Sequence, residues 1–357
     1  MTYPDRLHWE PAIYEHKAAL IGRSPTEVAA SADLLLEALE AEHATYRADF
    51  MTVGLDVYNV EAEACGAELA TGADDACPEI RVPLWSIDAL PPELRTGELA
   101  PPDPETSGRF PLLIEAGRRF RDRLGGSADG AARGGEPGAS PVVRVAASGP
   151  VSIGAKLVGT EPLLMGLVAA ESAALALLDF ATEVCLAWVT AIRRAGLDAI
   201  VFDSSASPPM IGPDLYRDAI GPLHRRIMGR LAQTGQRLRP LVLGGDTTPI
   251  AGQLAATGAN QLVCDYAAGA MDFAAALAAP RGALAAGGAA DLASPDVSIR
   301  RNVNPAFLSV ADLTELVADF CDDLGVLPNP VGGTGILPYD QDPATYLTFR
   351  RRVEERL

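Results

Sequence analysis

The stretch AIVFDSSASPPMIGPDLYRDAIGPLHRRIMGRLAQTGQRLRPLVLGGDTTPI, residues 199–250, decides the fold. It opens on a short apolar run at residues 199–202, turns through a polar loop, and enters a long amphipathic stretch at residues 213–234 that Pro213 and Asp214 can start. A second apolar run follows at residues 240–243, then another polar loop and a helical stretch at residues 249–257. Strand, loop and helix, repeated in that order, are the pattern of βα units on a parallel sheet.

The same alternation extends in both directions. Further strands are expected at residues 50–54, 142–146 and 261–264, and further helices at 25–42, 175–195 and 310–324. Barrels of βα units routinely reach 357 residues as one unit, so the expected class is α/β, a single (β/α)8 TIM-type barrel over residues 1–357. Two irregular insertions interrupt it. One covers about 70–108 and is rich in proline and acid from 88 to 108; the other, 125–140, reads GGSADGAARGGEPGAS, with Gly, Ala and Ser in place of anything that packs.

Composition limits the function. Hydrophobic residues make up 48% and charged residues 21% of the chain, as in an ordinary globular protein. A formal net charge of -18 with no basic cluster among aromatics excludes nucleic acid as the expected partner, and the acidity itself reads as solubility. Five scattered cysteines, Cys65, Cys77, Cys185, Cys264 and Cys321, form no C-x-x-C pair and fit a reducing cytoplasm. The start, MTYPDRLHWEP, lacks a basic region followed by an apolar core, and the most apolar stretch, residues 173–189, is broken by Asp179 and Glu183, so no membrane span is expected.

In a closed barrel, the residues just after each strand line the open face where chemistry is found. These are residues 56–63, 148–154, 203–209, 244–248, 265–266, 302–304 and 328–337. Asp203-Ser204-Ser205-Ala206-Ser207-Pro208-Pro209 gathers hydroxyls and a carboxylate that suit an anion or an ordered water, and equally suit a capped βα turn. In Gly244-Gly245-Asp246-Thr247-Thr248 the glycines allow a ligand close to the backbone, while the threonines can cap the next helix.

Asn59-Val60-Glu61-Ala62-Glu63-Ala64-Cys65-Gly66, the Asp203 to Pro209 loop, and Thr247-Thr248-Pro249-Ile250 together resemble motifs of the corrinoid:thiol methyltransferases in the uroporphyrinogen decarboxylase superfamily. Ser148-Gly149-Pro150 with Leu157-Val158-Gly159, and Asn302-Val303-Asn304-Pro305, are similar to superfamily features in the same order. The resemblance runs from about Phe50 onward. It implies a zinc ion held by His-x-Cys on one strand and by a cysteine near the C-terminus, where the metal activates a thiol for attack on a corrinoid-bound methyl group. Here Val242, Gly244 and Thr334 stand at those three positions. The four histidines, His8, His16, His43 and His224, have no metal-site spacing, with His224 inside an expected helix and His43 just past the end of one. No metal ligand is therefore expected. Cys264, ending a strand beside Asp265, is a secondary candidate for the mouth, against the commoner reading of a small buried cysteine.

Three readings of function stay open. In the first, the protein is a zinc-independent relative of the corrinoid methyltransferases that performs methyl transfer or a related lyase step on a small molecule. No bound cofactor is expected; without the D-x-H-x-x-G pattern of corrinoid modules, any corrinoid arrives free or on a partner protein. The second is a metal-free decarboxylase of a small organic acid, with Asp56, Glu61 or Glu63 supplying a carboxylate and Lys156, Arg300 or Arg301 as anchors, each of these cations being also readable as solvated surface charge. The Gln-Ala-Gly-Arg motif of true uroporphyrinogen decarboxylases is missing. The third is a non-catalytic binding protein on the same barrel. The candidate catalytic residues are Glu61, Asp203 and Asp246, with Tyr58, Asn59, Ser205, Ser207 and Asn304 as substrate contacts. A homodimer is left open.

Overall fold

Eight short strands, each followed by helix, make the frame of this computed structural model, which describes residues 6–71, 73–125, 140–279, 297–310 and 312–357. They are β1 (His8–Ala12), β2 (Phe50–Val53), β3 (Val142–Ser148), β4 (Asp198–Phe202), β5 (Leu241–Val242), β6 (Gln261–Cys264), β7 (Ser298–Val303) and β8 (Pro330–Ile336). All their pairings are parallel, in the orders β2-β3-β4-β5 and β6-β7-β8-β1. Contacts at both seams join the halves: Pro240 bridges in parallel to Gln261, and the Asp49 amide donates to the Trp9 carbonyl at 2.9 Å. The sheet closes into a barrel, as the alternation of the sequence requires.

Side chains alternate between the barrel interior and the helices outside it. Phe50, Val142 and Val331 pack together inside at the strand N-termini, and Ala12, Ala146, Ile200 and Phe202 pack inside nearer the C-terminal ends. Outward-facing Val53, Val145, Ala199, Val201, Leu241, Leu262 and Ile299 belong to the main core under the helices. Helix Ser172–Arg194, which is long and apolar enough to cross a membrane, is mostly buried and packs against β3 and β4. Trp9 on β1 points outward, lies flat against Phe320 at 6.2 Å, and meets Tyr346 and Phe349 edge-on.

The five expected strands are present. Three others escaped the sequence reading. Residues 328–337, expected as a loop after a strand, are instead largely β8 itself, PVGGTGI. Its glycines serve close approach rather than turning: a Cβ on Gly332 would lie 2.5 Å from the Trp9 ring, and one on Gly333 would lie 2.7 Å from Arg300 Cγ. The helix expected over 25–42 is two, Pro25–Ala29 and Ala32–Tyr46, because Ser31 caps the second through the Leu34 amide. His43 consequently lies within that second helix rather than beyond it. The stretch 213–234 contains a π-helical turn, Tyr216–Ile220, just before Pro222, which has no amide hydrogen to continue a regular ladder.

The insertion at 70–108 is more ordered than its composition suggests. It carries a bridge between Ala70 and Glu79 and a one-turn helix, Pro92–Thr96, and it buries Ile80, Ile87, Leu90 and Leu94 in the main core. The insertion at 125–140 falls, except for its two end residues, outside the described residues.

The contact between Gly332 and Trp9 yields a test of the fold. Gly332→Ala should destabilise the protein by about 1–3 kcal/mol through overpacking, read as a lower midpoint in urea unfolding.

Candidate functional site

Inside the barrel, the third residues of β1, β3 and β7 are Glu10, Arg144 and Arg300, all pointing to the axis. One carboxylate serves two guanidiniums: Glu10 Oε1 lies 2.7 Å from Arg144 Nη2 and 2.5 Å from Arg300 Nη1. Gln261 on β6 completes the layer, donating Nε2 to Glu10 Oε2 at 2.9 Å and accepting from Arg144 Nη1 at 2.7 Å. Arg144 also lies over the Phe50 ring at 4.8 Å. Burial works to raise the Glu10 carboxyl, but Arg144 and Arg300 outweigh it and hold it below the usual carboxylate range.

Above this floor stand Tyr14 and Tyr58, both edge-on to Phe202 at 5.9 and 6.5 Å. The Tyr58 hydroxyl meets Ser204 Oγ at 2.6 Å. Across the barrel, Asn302 donates Nδ2 to Asp265 Oδ2 at 3.2 Å, and its buried Oδ1 has no partner among the described residues. A cavity of about 430 Å³ opens beside the mouth, lined by Tyr58, Ser204, Ser205, Ser152, Lys156 and Arg81 among others. The structure thus brings Tyr58 and Ser205 together at one opening.

The other expected site residues are distributed differently. Glu61 is 1% exposed and accepts from the Ser148 amide and the Ser148 hydroxyl, both at 2.6 Å; burial pushes its carboxyl up to about 7. Asp203 is 0% exposed and accepts from the Val151 amide at 3.2 Å and the Ser152 amide at 2.7 Å, capping helix Pro150–Val158. It also accepts from His224 Nε2 at 2.8 Å, which leaves His224 Nδ1 to accept from the Tyr216 hydroxyl at 2.9 Å. The preceding π-helical turn places Tyr216 and His224 for that bond. Gly149 is needed beneath, since a Cβ there would lie 2.4 Å from Asp203.

Asn59 is buried and ties Asp56, through Oδ1 at 2.9 Å, to the segment carrying Pro78 and Ile80. Asp56 and Glu63 both accept from Arg109, at 2.7 and 2.5 Å. Asp246 is exposed in the loop after β5 and accepts from the Thr248 amide, whereas Asn304 caps the turn Pro305–Phe307 after β7. Ser207 is buried, with its amide donating to the Ser204 carbonyl.

Two expectations need correction. Arg300 and Arg301, readable as surface charges, are both buried: Arg300 turns inward to Glu10, while Arg301 turns outward to Asp323 at 2.6 Å and to the Asp265 and Ala268 carbonyls. Adjacent strand residues face opposite sides, which separates them. Cys264 follows the same parity. It lies beside Arg301 on the outer side and not at the mouth, and burial raises its thiol to about 11. Glu10, Arg144 and His224 went unread as site residues. The available signal was a lone charge inside each apolar strand, in HWEPA and VVRVAAS, which in a barrel must either face a partner or face water.

At the positions where the resemblance places zinc ligands, the side chains offer none. Val242 packs with the inner apolar cluster around Phe202, Gly244 has no side chain, and Thr334 Oγ1 accepts from the Ala12 amide at 3.0 Å. No group of three His, Cys, Asp or Glu suited to a metal ion occurs among the described residues. A zinc ion does not fit this donor set.

The sequence model of the uroporphyrinogen decarboxylase (URO-D) family matches residues 11–316. The methylcobamide:CoM methyltransferase MtaA of Methanosarcina barkeri is 28% identical over 160 residues, 44% of this chain and 41% of that protein. The chain therefore spans about two fifths of the length of the curated relative it matches. A methyltransferase structure from Methanosarcina mazei superposes with a TM-score of 0.75 over 99% of this chain and 94% of its own, at 16% identity, a likeness of fold.

The buried carboxyl of Glu61 makes stability depend on pH. With its folded value raised from 4.5 to about 7, the folded protein keeps a proton that the unfolded chain has released, so this group's contribution falls as pH rises through that window and is level above it. Glu61→Gln should remove up to about 1.4 kcal/mol per pH unit of that slope, measured by urea unfolding between pH 5 and pH 7.

Proposed function

Because the chain belongs to the uroporphyrinogen decarboxylase family, we propose that it is a zinc-independent enzyme of that family, acting on a small molecule at the barrel mouth by methyl transfer or a related lyase step. The observation that carries this reading is the set Val242, Gly244 and Thr334, whose only hydroxyl is already bonded to the Ala12 amide. Without a metal to lower a thiol's pKa, the acceptor must be nucleophilic already or must not be a thiol. In the methyl-transfer form, a corrinoid arrives free or on a partner protein.

Tyr58 and Ser204 share a 2.6 Å hydrogen bond at the cavity and are the groups placed to exchange a proton with a substrate, with Ser205 and Lys156 as further contacts. Glu61 and Asp203 act as positioning residues, since each is enclosed by the bonds that fix the loops after β2, β3 and β4. Metal-free decarboxylation of a small acid is the second reading, favoured by the two guanidiniums on the floor.

Zinc measured in protein purified without added metal, and again after zinc incubation and desalting, should stay well below one per chain. Stoichiometric tight zinc would overturn the reading and restore thiol methylation. The combined variant Val242→His, Gly244→Cys, Thr334→Cys should gain one tightly held zinc in the same measurement.

A further inference from the structure

The barrel floor holds two guanidiniums against one carboxylate. Arg144 and Arg300 share Glu10, whose second oxygen is taken by Gln261. Two further carboxylates have partners of their own: Asp198 pairs with Arg193, and Asp265, half-buried at the rim, accepts from Asn302 and the Ala267 amide. Glu10, Arg300 and Asn302 are 4%, 4% and 5% exposed, so the floor is nearly enclosed. An uncompensated charge in such a place costs several kcal/mol unless a counter-ion reaches it.

Among the floor's polar atoms without hydrogen-bond partners, which include Arg144 Nε and Nη2, two bear on where a counter-ion would sit. Arg300 Nε and Asn302 Oδ1 are buried without hydrogen-bond partners among the described residues. Both side chains lie over Gly333, where a Cβ would come within 2.7 Å of Arg300 Cγ and 2.8 Å of Asn302 Oδ1. One is a cationic donor and the other a neutral acceptor, adjacent on the same face of β7. The inward residues nearer the mouth on β1 and β3 are the small Ala12 and Ala146, which pack with Tyr14, Ile200 and Phe202.

We propose that the barrel interior binds a small acid carrying a hydrogen-bond donor beside its carboxylate, with the carboxylate on Arg300 and the donor on Asn302 Oδ1. This names the substrate class for the site under Proposed function and rests on that reading. The two guanidiniums supply the charge, and Glu10 sets its strength by neutralising part of it. The chemistry is that of a 2-hydroxy or 2-amino acid rather than a simple fatty acid.

The test uses the full chain with acetate, glycolate and the neutral glycolamide as probes, titrated calorimetrically at low, constant ionic strength. Glycolate should bind, and about tenfold more tightly than acetate, from one added hydrogen bond; glycolamide should not bind. Arg300→Met should weaken glycolate by at least about tenfold, whereas Glu10→Gln, which frees the guanidiniums, should tighten it. Asn302→Leu should bring glycolate down to the level of acetate. Opposite changes in the Arg300 and Glu10 variants are not what a purely structural ion pair gives, and if Arg300→Met fails to fold, the Glu10 variant decides by itself.

Failure of wild-type protein to bind either acid, equal binding of glycolamide, or unchanged affinity in the Glu10 variant would overturn the proposal. Zinc content of the same protein separates the two ideas. Zinc-free protein that ignores all three probes sinks the acid site alone, and stoichiometric zinc sinks the proposed function whatever the acids do.

Discussion

Glu10 lies where the barrel is thickest in charge, and the strands around it are ordered by what it holds. Its carboxylate joins β1 to β3 through Arg144, to β7 through Arg300, and to β6 through Gln261, spanning the barrel from one half-sheet to the other. A carboxylate in an apolar interior is costly, and it persists here because every oxygen has a partner. The same arrangement explains the plain residues nearby. Gly333 is bare because Arg300 and Asn302 lie over it, and Phe50 offers its ring to Arg144 from below.

A second buried carboxylate organises the face at the C-terminal ends of the strands. Asp203 holds the first turn of helix Pro150–Val158 and His224 together, so the segments after β3 and β4 are tied to each other. Glu61 links the loop after β2 to Ser148 in the same manner. These bonds leave the Tyr58 and Ser204 hydroxyls, rather than the carboxylates, at the cavity. Fixed loops around a small opening are what preorganised binding requires.

The family to which the chain belongs accounts for the barrel and for the order of its loop motifs. The mouth itself is chemically distinct. Where thiolate and imidazole would gather a metal, this chain places a packed valine, a glycine and a threonine whose hydroxyl closes β1 onto β8. None of these three positions offers a zinc donor, and the floor beneath carries two guanidiniums around one carboxylate.

The sequence by itself determined the alternation of strand and helix, five of the eight strands, and the loops that follow those five, because hydrophobic periodicity is a local property. It also determined which zinc donors are lacking, since that is a matter of residue identity. Three strands were illegible: HWEPA and SIRRNV carry charges and PVGGTGI carries glycines, and each departs from strand composition only because of neighbours far away in the chain. The roles of Arg300 and Arg301 were beyond reach for the same reason. Adjacent in sequence, they were sent to opposite sides by the parity of β7, and the partners waiting there, Glu10 and Asp323, are 290 and 22 residues away. Tertiary structure decided which charges are buried and what they face, because only closure of the barrel brings β1 beside β8 and within reach of β3 and β7.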